Sequence, residues 1–232
     1  MKTVLITGVS RGLGKALFHL FISKGYLVFG VLRNQSEARS LELELPDNAR
    51  LILCDLSSDE SIDTIRNTVK DSPIDLIINN AGIAGKSFLI DEVVSEEILN
   101  LFNVHCLGVF RTVKSLKSNL LKAKKPMVLN LNSRLGSITR QSNGTYQNLS
   151  ISYSYRIAKA AQNMLTNCLR SEFKDSIQFI SLHPGRMKTE IASTDADLEP
   201  IEVASNILHA FEHGNLKEEA GIIELEKEVI EW

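Results

Sequence analysis

The chain has 232 residues, with 26 Lys plus Arg against 28 Asp plus Glu and a net charge of −2. That balance excludes a general electrostatic attraction for nucleic acid or anionic lipid, so small soluble partners are expected. At this length, with no Pro/Gly/Ser-rich linker dividing it, residues 1–232 read as one domain.

The chain opens with Val4, Leu5 and Ile6, a short apolar run that predicts a buried strand over 3–7. Such an immediate start lacks a signal-peptide core, and the longest apolar run, YLVFGVL, is far too short to span a bilayer; a cytoplasmic protein is expected. The strand stops in ITGVSRGLG, residues 6–14, after which Ala16, Leu17, Leu20 and Phe21 recur at helical spacing. Gly8, Gly12 and Gly14 follow G-x-x-x-G-x-G, with Ser10, Arg11 and Leu13 between them. Glycine lets a diphosphate approach the main chain, and the following helix offers free N–H groups and a positive dipole end. A tight turn without ligand is the alternative, and Arg11 shifts the balance toward phosphate.

The second strand, over 26–32, ends in GVLRN, with no carboxylate before Glu37. In a dinucleotide site an acidic side chain here accepts from a ribose 2′-hydroxyl, whereas arginine accommodates a 2′-phosphate. Charge-assisted bonds to phosphate are worth about 1.5 to 3 kcal/mol each, so Arg11 and Arg33 predict NADP(H) over NAD(H). Strands over 50–54 and 74–79 are followed by Asp55 and Leu56 in CDLSS and by Asn80, Ala81 and Gly82 in NNAG, short polar segments suited to closing strand ends. Further strand-like runs lie at 127–132, 177–182 and 221–225, with amphipathic helical patterns filling most of the gaps. This alternation predicts an α/β Rossmann fold, a doubly wound seven-stranded parallel sheet with helices on both faces and its ligand site at the strands' carboxyl ends.

After the fifth strand comes YSYRIAK, residues 153–159. Positions four apart share a helix face, so Tyr155 and Lys159 point together. A free phenol titrates near 10, and a nearby ammonium can lower that by roughly 1 to 3 units, enough to exchange a proton with a carbonyl or alcohol oxygen. After the sixth strand, Pro184 and Gly185 in HPGRMKTE end the strand and turn the chain. Cys54, Cys106 and Cys168 are widely spaced and predict neither a metal site nor a disulfide framework, but reduced, mostly buried thiols.

With its glycine turn, NNAG and Y-x-x-x-K, the whole chain resembles the short-chain dehydrogenase/reductase family. The resemblance implies that Asp55 contacts adenine, that NNAG supports the central strand beside the cofactor, and that Lys159 holds the nicotinamide ribose. It also implies that Thr189 meets the carboxamide and that Asn103, in NVHCLG, holds a water in a proton relay. A serine in the pattern S-x-x-G orients the substrate oxygen. Ser133 in NSRLG fits, although it lies 22 residues before Tyr155 where about 13 is usual in the family, and counting back 13 reaches Ser142. Ser133 alone combines the strand end with the glycine, and an insertion carrying Arg140 accounts for the excess. That insertion, YSYRIAKAA, a short segment after Thr189 and the final Trp232 resemble the carbonyl reductases of the C-factor and sniffer type.

The resemblance implies reversible hydride transfer between NADP(H) and a carbonyl or secondary alcohol, with Tyr155 as general acid/base. A catalytically silent NADP(H)-binding redox sensor is the alternative, for which a broken Tyr and Lys pair would be expected. Pairing into a homodimer through the helices holding Asn103 and Tyr155 is also implied, though the first carries Lys114, Lys117, Lys122 and Lys124. Arg134 and Arg140, near Arg186, fit either an acidic substrate or solvated loop charges.

Overall fold

A computed structural model describes residues 1–43, 45–187, 198–225 and 229–232. Eight strands make one sheet: β1 Thr3–Thr7, β2 Leu27–Leu32, β3 Ala49–Leu53, β4 Leu76–Asn79, β5 Met127–Leu131, β6 Gln178–His183, β7 Ile222–Glu224 and β8 Val229–Ile230. The helices are α1 Gly12–Ser23, α2 Gln35–Glu42, α3 Glu60–Val69, α4 Ser95–Phe102, α5 Gly108–Leu120, α6 Ile138–Ser142, α7 Tyr153–Glu172 and α8 Pro200–Glu212.

Continuously apolar strands such as VLIT at the chain start can be stable only where both sheet faces are covered. On one face α1 and α8 supply Leu13, Leu17, Phe18, Val203 and Ile207 to a common core. On the other, α3, α5 and α7 supply Ile65, Val109, Val113, Leu116 and Leu169. The strand order is β3-β2-β1-β4-β5-β6-β7-β8. The chain therefore winds outward from β1 to β3 and returns to the other side of β1, where Leu5 pairs with Ile77 and Ile6 with Ile78. That reversal opens a crevice at the carboxyl ends of β1 and β4, the place where open α/β sheets hold ligands.

The sheet differs from the sequence expectation at one edge. β8 adds an eighth strand, antiparallel to β7, through Ile222 with Ile230 and Ile223 with Val229. Two residues are too few to show a period-two pattern, so the sequence carries no strand signal there. Gly221 permits the pairing, because a Cβ at that position would overlap the Ile230 carbonyl.

Between α4 and α5 the helix does not stop but widens into one π-helical turn, Asn103–Leu107. The insertion before α7 folds as α6, capped by Ser137 through a hydrogen bond from Arg140 N–H at 3.1 Å. Its Thr139 N–H donates to the Trp232 carbonyl at 2.9 Å, tying the insertion to the end of the chain. Cys106 is buried, Cys54 half-buried and Cys168 exposed, all as free thiols. Among the described residues no helix is long and apolar enough to cross a membrane, and no cluster of three or more His, Cys, Asp or Glu side chains could hold a metal.

Candidate active site

The glycine turn is shaped by the loop that follows β4. Gly8 and Gly12 adopt φ of +74° and +55°, values that favour glycine. Asn80 Nδ2 donates to the carbonyls of Thr7 and Gly8 at 2.9 and 3.1 Å, while the Asn80 and Ala81 N–H groups donate to Thr7 Oγ1, each at 3.0 Å. A Cβ on Gly14 would overlap both the Gly8 carbonyl and this amide. The turn and NNAG are therefore one interlocked unit, which brings Gly8, Gly14, Asn80 and Ala81 together; Gly82 follows directly. α1 starts at Gly12 with no side-chain cap and no acidic residue in its first turn. Its first N–H groups are oriented for an anion, as a dinucleotide phosphate requires.

Around this turn the other expected binding residues fall at strand ends. Arg33 is exposed just past β2, where no described side chain pairs with it, and next to it Asn34 caps α2 by accepting from Ser36 N–H at 2.9 Å. Asp55 is exposed after β3, its Oδ1 accepting from Ser57 N–H at 2.9 Å, and Leu56 is buried beside it. Pro184 and Gly185 lie half-buried after β6, with Gly185 at φ +90°. Thr189 lies outside the described residues. Ser10, Arg11 and Leu13 sit in the first turn, Leu13 facing the core.

The second half of the site is built where β5 meets α7. Ser133 follows β5 and caps a short 3-10 turn, Arg134–Gly136, its hydroxyl accepting from Leu135 N–H at 3.2 Å. Gly136 lets that turn lie directly on α7: a Cβ there would stand 2.8 Å from the Lys159 carbonyl carbon and 3.0 Å from its Cβ. Asn132 fixes the same junction, accepting from Ser133 N–H at 2.8 Å and bonding Asn163 of α7. In consequence the Ser133 side chain stands close enough to the Tyr155 hydroxyl to favour its ionised form. Ser142 instead bonds the carbonyls of Ile138 and Thr139 in its own helix, each at 3.0 Å, and is exposed.

Tyr155 and Lys159 do share a face of α7, with Lys159 Nζ 5.7 Å from the Tyr155 ring centre. Their electrostatics differ from the sequence expectation, in which the ammonium lowers the phenol. Burial raises the Tyr155 phenol to about 12, moderated by the nearby Ser133 side chain. Burial also lowers Lys159 to about 7. The physical reason is dryness: Lys159 is only 5% exposed, and its ammonium donates to the Leu131 carbonyl at 2.8 Å and to Gln162 Oε1 at 2.9 Å. An ammonium has three donors, so one remains.

The side chain of Asn103 bonds to other partners. Its Nδ2 donates to the Ser57 carbonyl at 3.0 Å and its Oδ1 accepts from Arg111 Nη1 at 2.7 Å. Arg111, 7% exposed, also donates to the Leu56 carbonyl at 2.9 Å and pairs with Asp59 at 2.6 Å. Asn103 and Arg111 thus brace the loop of Asp55 and Leu56 against the π turn. The residue of that turn that does reach Tyr155 is His105, whose ring stands edge-on at 5.4 Å and 87°. Sequence reasoning passed over it; a histidine within the apolar stretch VHCLGVF was the available signal. Arg134 and Arg140 are half-exposed beside the site.

A family model described as short chain dehydrogenase matches residues 2–199. The chain is 29% identical over 197 residues to the NADPH-dependent pterin aldehyde reductase of Arabidopsis thaliana, covering 83% of this chain and 78% of that protein. It is 30% identical over 202 residues to the NADPH-dependent 3-dehydrocapnine reductase of Ornithobacterium rhinotracheale, covering 82% and 67% respectively. Among solved structures, the carbonyl reductase Sniffer of D. melanogaster aligns over the full length of both chains, with a TM-score of 0.85 and 27% identity.

Proposed function

The chain belongs to the short-chain dehydrogenase family, and from that premise we propose that it is an NADP(H)-dependent carbonyl reductase acting on a small carbonyl or secondary alcohol. The observation that carries this reading is the meeting of three groups: the Lys159 ammonium 5.7 Å from the centre of the Tyr155 ring on one face of α7, with the Ser133 side chain beside the Tyr155 hydroxyl. Relatives whose names specify NADPH, together with an exposed Arg33 at the ribose end of the crevice, support the phosphorylated cofactor.

In this reading the capless start of α1, with Gly8, Ser10, Arg11, Gly12 and Gly14, takes the diphosphate. Arg33 meets the 2′-phosphate, Asp55 and Leu56 flank the adenine, and Asn80, Ala81 and Gly82 line the ribose side. Pro184 and Gly185 border the nicotinamide. The bound nucleotide supplies the hydride. Ser133 orients the carbonyl oxygen by donating to it, a preorganised donor aimed at developing charge. Tyr155, half-buried and protonated at neutral pH, delivers its proton to that oxygen. Lys159, lowered to about 7, is the neighbouring group able to exchange a proton at neutral pH, and its remaining N–H is available to a ribose hydroxyl.

The test is a panel of aldehydes and ketones incubated with protein and NADPH, following nucleotide oxidation and alcohol formation together. One alcohol formed per NADPH consumed is the expected result. Tight NADPH binding with no turnover of any carbonyl would overturn the enzymatic reading in favour of a silent nucleotide-binding protein.

A further inference from the structure

The residues that follow NNAG form a strap across the start of α7. Ile83 is fixed first: its carbonyl lies 2.8 Å from His105 Nε2, and the His105 ring stands edge-on to the Tyr155 ring. Gly85 lies directly on the cap of α7, since a Cβ there would overlap Ser152 Oγ. That same oxygen accepts from the Tyr155 N–H at 3.4 Å. Two residues on, the Ser87 carbonyl accepts from the Tyr153 N–H at 3.2 Å. The strap thus continues from Gly82 at the carboxyl end of β4 and passes beside the residue that carries the reactive phenol.

Two carboxylates fix its path. Glu97, in the first turn of α4, accepts through Oε1 from the Lys86 N–H at 2.9 Å and the Ser87 N–H at 3.3 Å, and through Oε2 from the Ser87 hydroxyl at 2.5 Å. The Ser87 hydroxyl and these two N–H groups hold the Glu97 carboxyl down to about 2, so the clamp stays charged across the neutral range. Glu92 takes the next two donors, the N–H groups of Phe88 and Leu89, at 3.0 and 3.3 Å. With its donors committed in this way the backbone has little freedom to leave α7. What the strap leaves exposed is chiefly apolar: Phe88, Leu89 and Ile90 are 42%, 63% and 66% exposed. Three consecutive large apolar side chains beside a reactive group suit an apolar ligand.

We propose that Glu97 is a positioning residue that holds the strap as one wall of the substrate pocket, and that this wall selects carbonyls carrying an apolar chain. Glu97 acts through Lys86 and Ser87, without touching nucleotide or carbonyl. Without its carboxylate, two backbone N–H groups and the Ser87 hydroxyl lose their shared acceptor, and the strap moves off the start of α7. The consequence is graded by substrate length. A short carbonyl held at Ser133 and Tyr155 ends before the wall, whereas a longer chain leans on it.

This inference rests on the reading of Tyr155 as the group that meets the carbonyl oxygen, but its test needs no turnover. Straight-chain carboxamides from butanamide to octanamide present a carbonyl that NADPH does not reduce, and their binding to the NADPH-bound protein is measured by NMR titration. In wild type, affinity should rise with chain length by up to about fourfold per methylene. In Glu97→Ala, octanamide should bind about tenfold more weakly while butanamide stays within about twofold, because only the longer chain loses its wall. Glu97→Gln keeps an oxygen for the Lys86 and Ser87 N–H groups and can donate to Ser87 Oγ, so it should restore most of the octanamide affinity. Gly85→Ala dislodges the strap from its other anchor; it should reproduce the octanamide loss and secures the test if Glu97→Ala fails to fold. Unchanged octanamide affinity in folded Glu97→Ala or Gly85→Ala, or equal losses for butanamide and octanamide, overturns the proposal. The expected carboxamide pattern in a protein that reduces no aldehyde supports the wall and sinks the catalytic reading alone.

Discussion

Gly136→Ala tests how the catalytic half of the site is held together. The added methyl would stand 2.8 Å from the Lys159 carbonyl carbon and 3.0 Å from both its Cβ and its carbonyl oxygen. Normal carbon contacts are about 3.5 to 4.0 Å, so the 3-10 turn must retreat from α7 by about half an ångström or more, because the obstructing atoms are mostly backbone. Overpacking of this kind costs about 1 to 3 kcal/mol. For a chain of this size that corresponds to a fall in melting temperature of roughly 2 to 12 °C. Ser133 begins that turn and its hydroxyl meets Tyr155, so the retreat separates the two groups that contact the substrate oxygen. Misplacements of about 1 Å cost up to 10²-fold in rate, and a loss of about 10-fold or more in kcat is expected. NADPH binding, governed by the glycine turn on the far side of the crevice, should stay within about threefold of wild type, or ~0.65 kcal/mol. Melting temperature, nucleotide affinity by fluorescence and steady-state turnover are measured on the same preparation. A variant that keeps full kcat would refute the claim that close packing at Gly136 sets the Ser133 to Tyr155 contact.

Arg33→Ala should weaken NADPH by about 10- to 10²-fold while leaving NADH nearly unchanged, the loss of one charge-assisted phosphate contact; parallel losses for both nucleotides, measured by fluorescence titration, would contradict the assignment. Arg111→Ala strips donors from the Leu56 carbonyl and Asn103 Oδ1, so a loss of about 2 to 3 kcal/mol in denaturant unfolding and a weaker grip on the nucleotide are expected; wild-type stability would argue against the brace. Burial lowers Lys159 from 10.5 to about 7, so between those values the unfolded chain binds more protons than the folded one. Its contribution to unfolding free energy therefore rises with pH from about 7 to about 10.5 and is flat below 7, and the wild-type profile minus that of Lys159→Met should show that rise.

The fold was legible because its strands are continuous apolar runs and its turns carry glycine, signals that survive in a single sequence. The π turn was not, because its amphipathic spacing differs from that of an α-helix by only one residue. That slip matters, since it turns Asn103 toward Arg111 and presents His105 to Tyr155. Ser133 was identifiable from the strand end and from Gly136, but the reason for that glycine, contact with the Lys159 backbone, belongs to tertiary packing. The titration of the Tyr155 and Lys159 pair was not legible for a related reason: sequence spacing reveals a neighbouring charge, whereas burial, the largest influence on both groups, emerges only when α7 is seated against β5.

The most direct measurement of the central claim is single-turnover reduction of an active carbonyl by enzyme-bound NADPH in wild type and Tyr155→Phe. The substitution removes one oxygen and leaves the ring against His105 in place. A fall of about 10²- to 10⁴-fold in the rate of nucleotide oxidation, with NADPH affinity unchanged, is the predicted result, that being the worth of general acid catalysis. Oxidation at the wild-type rate in Tyr155→Phe would show that the proton reaches the substrate oxygen from another group and would contradict the account.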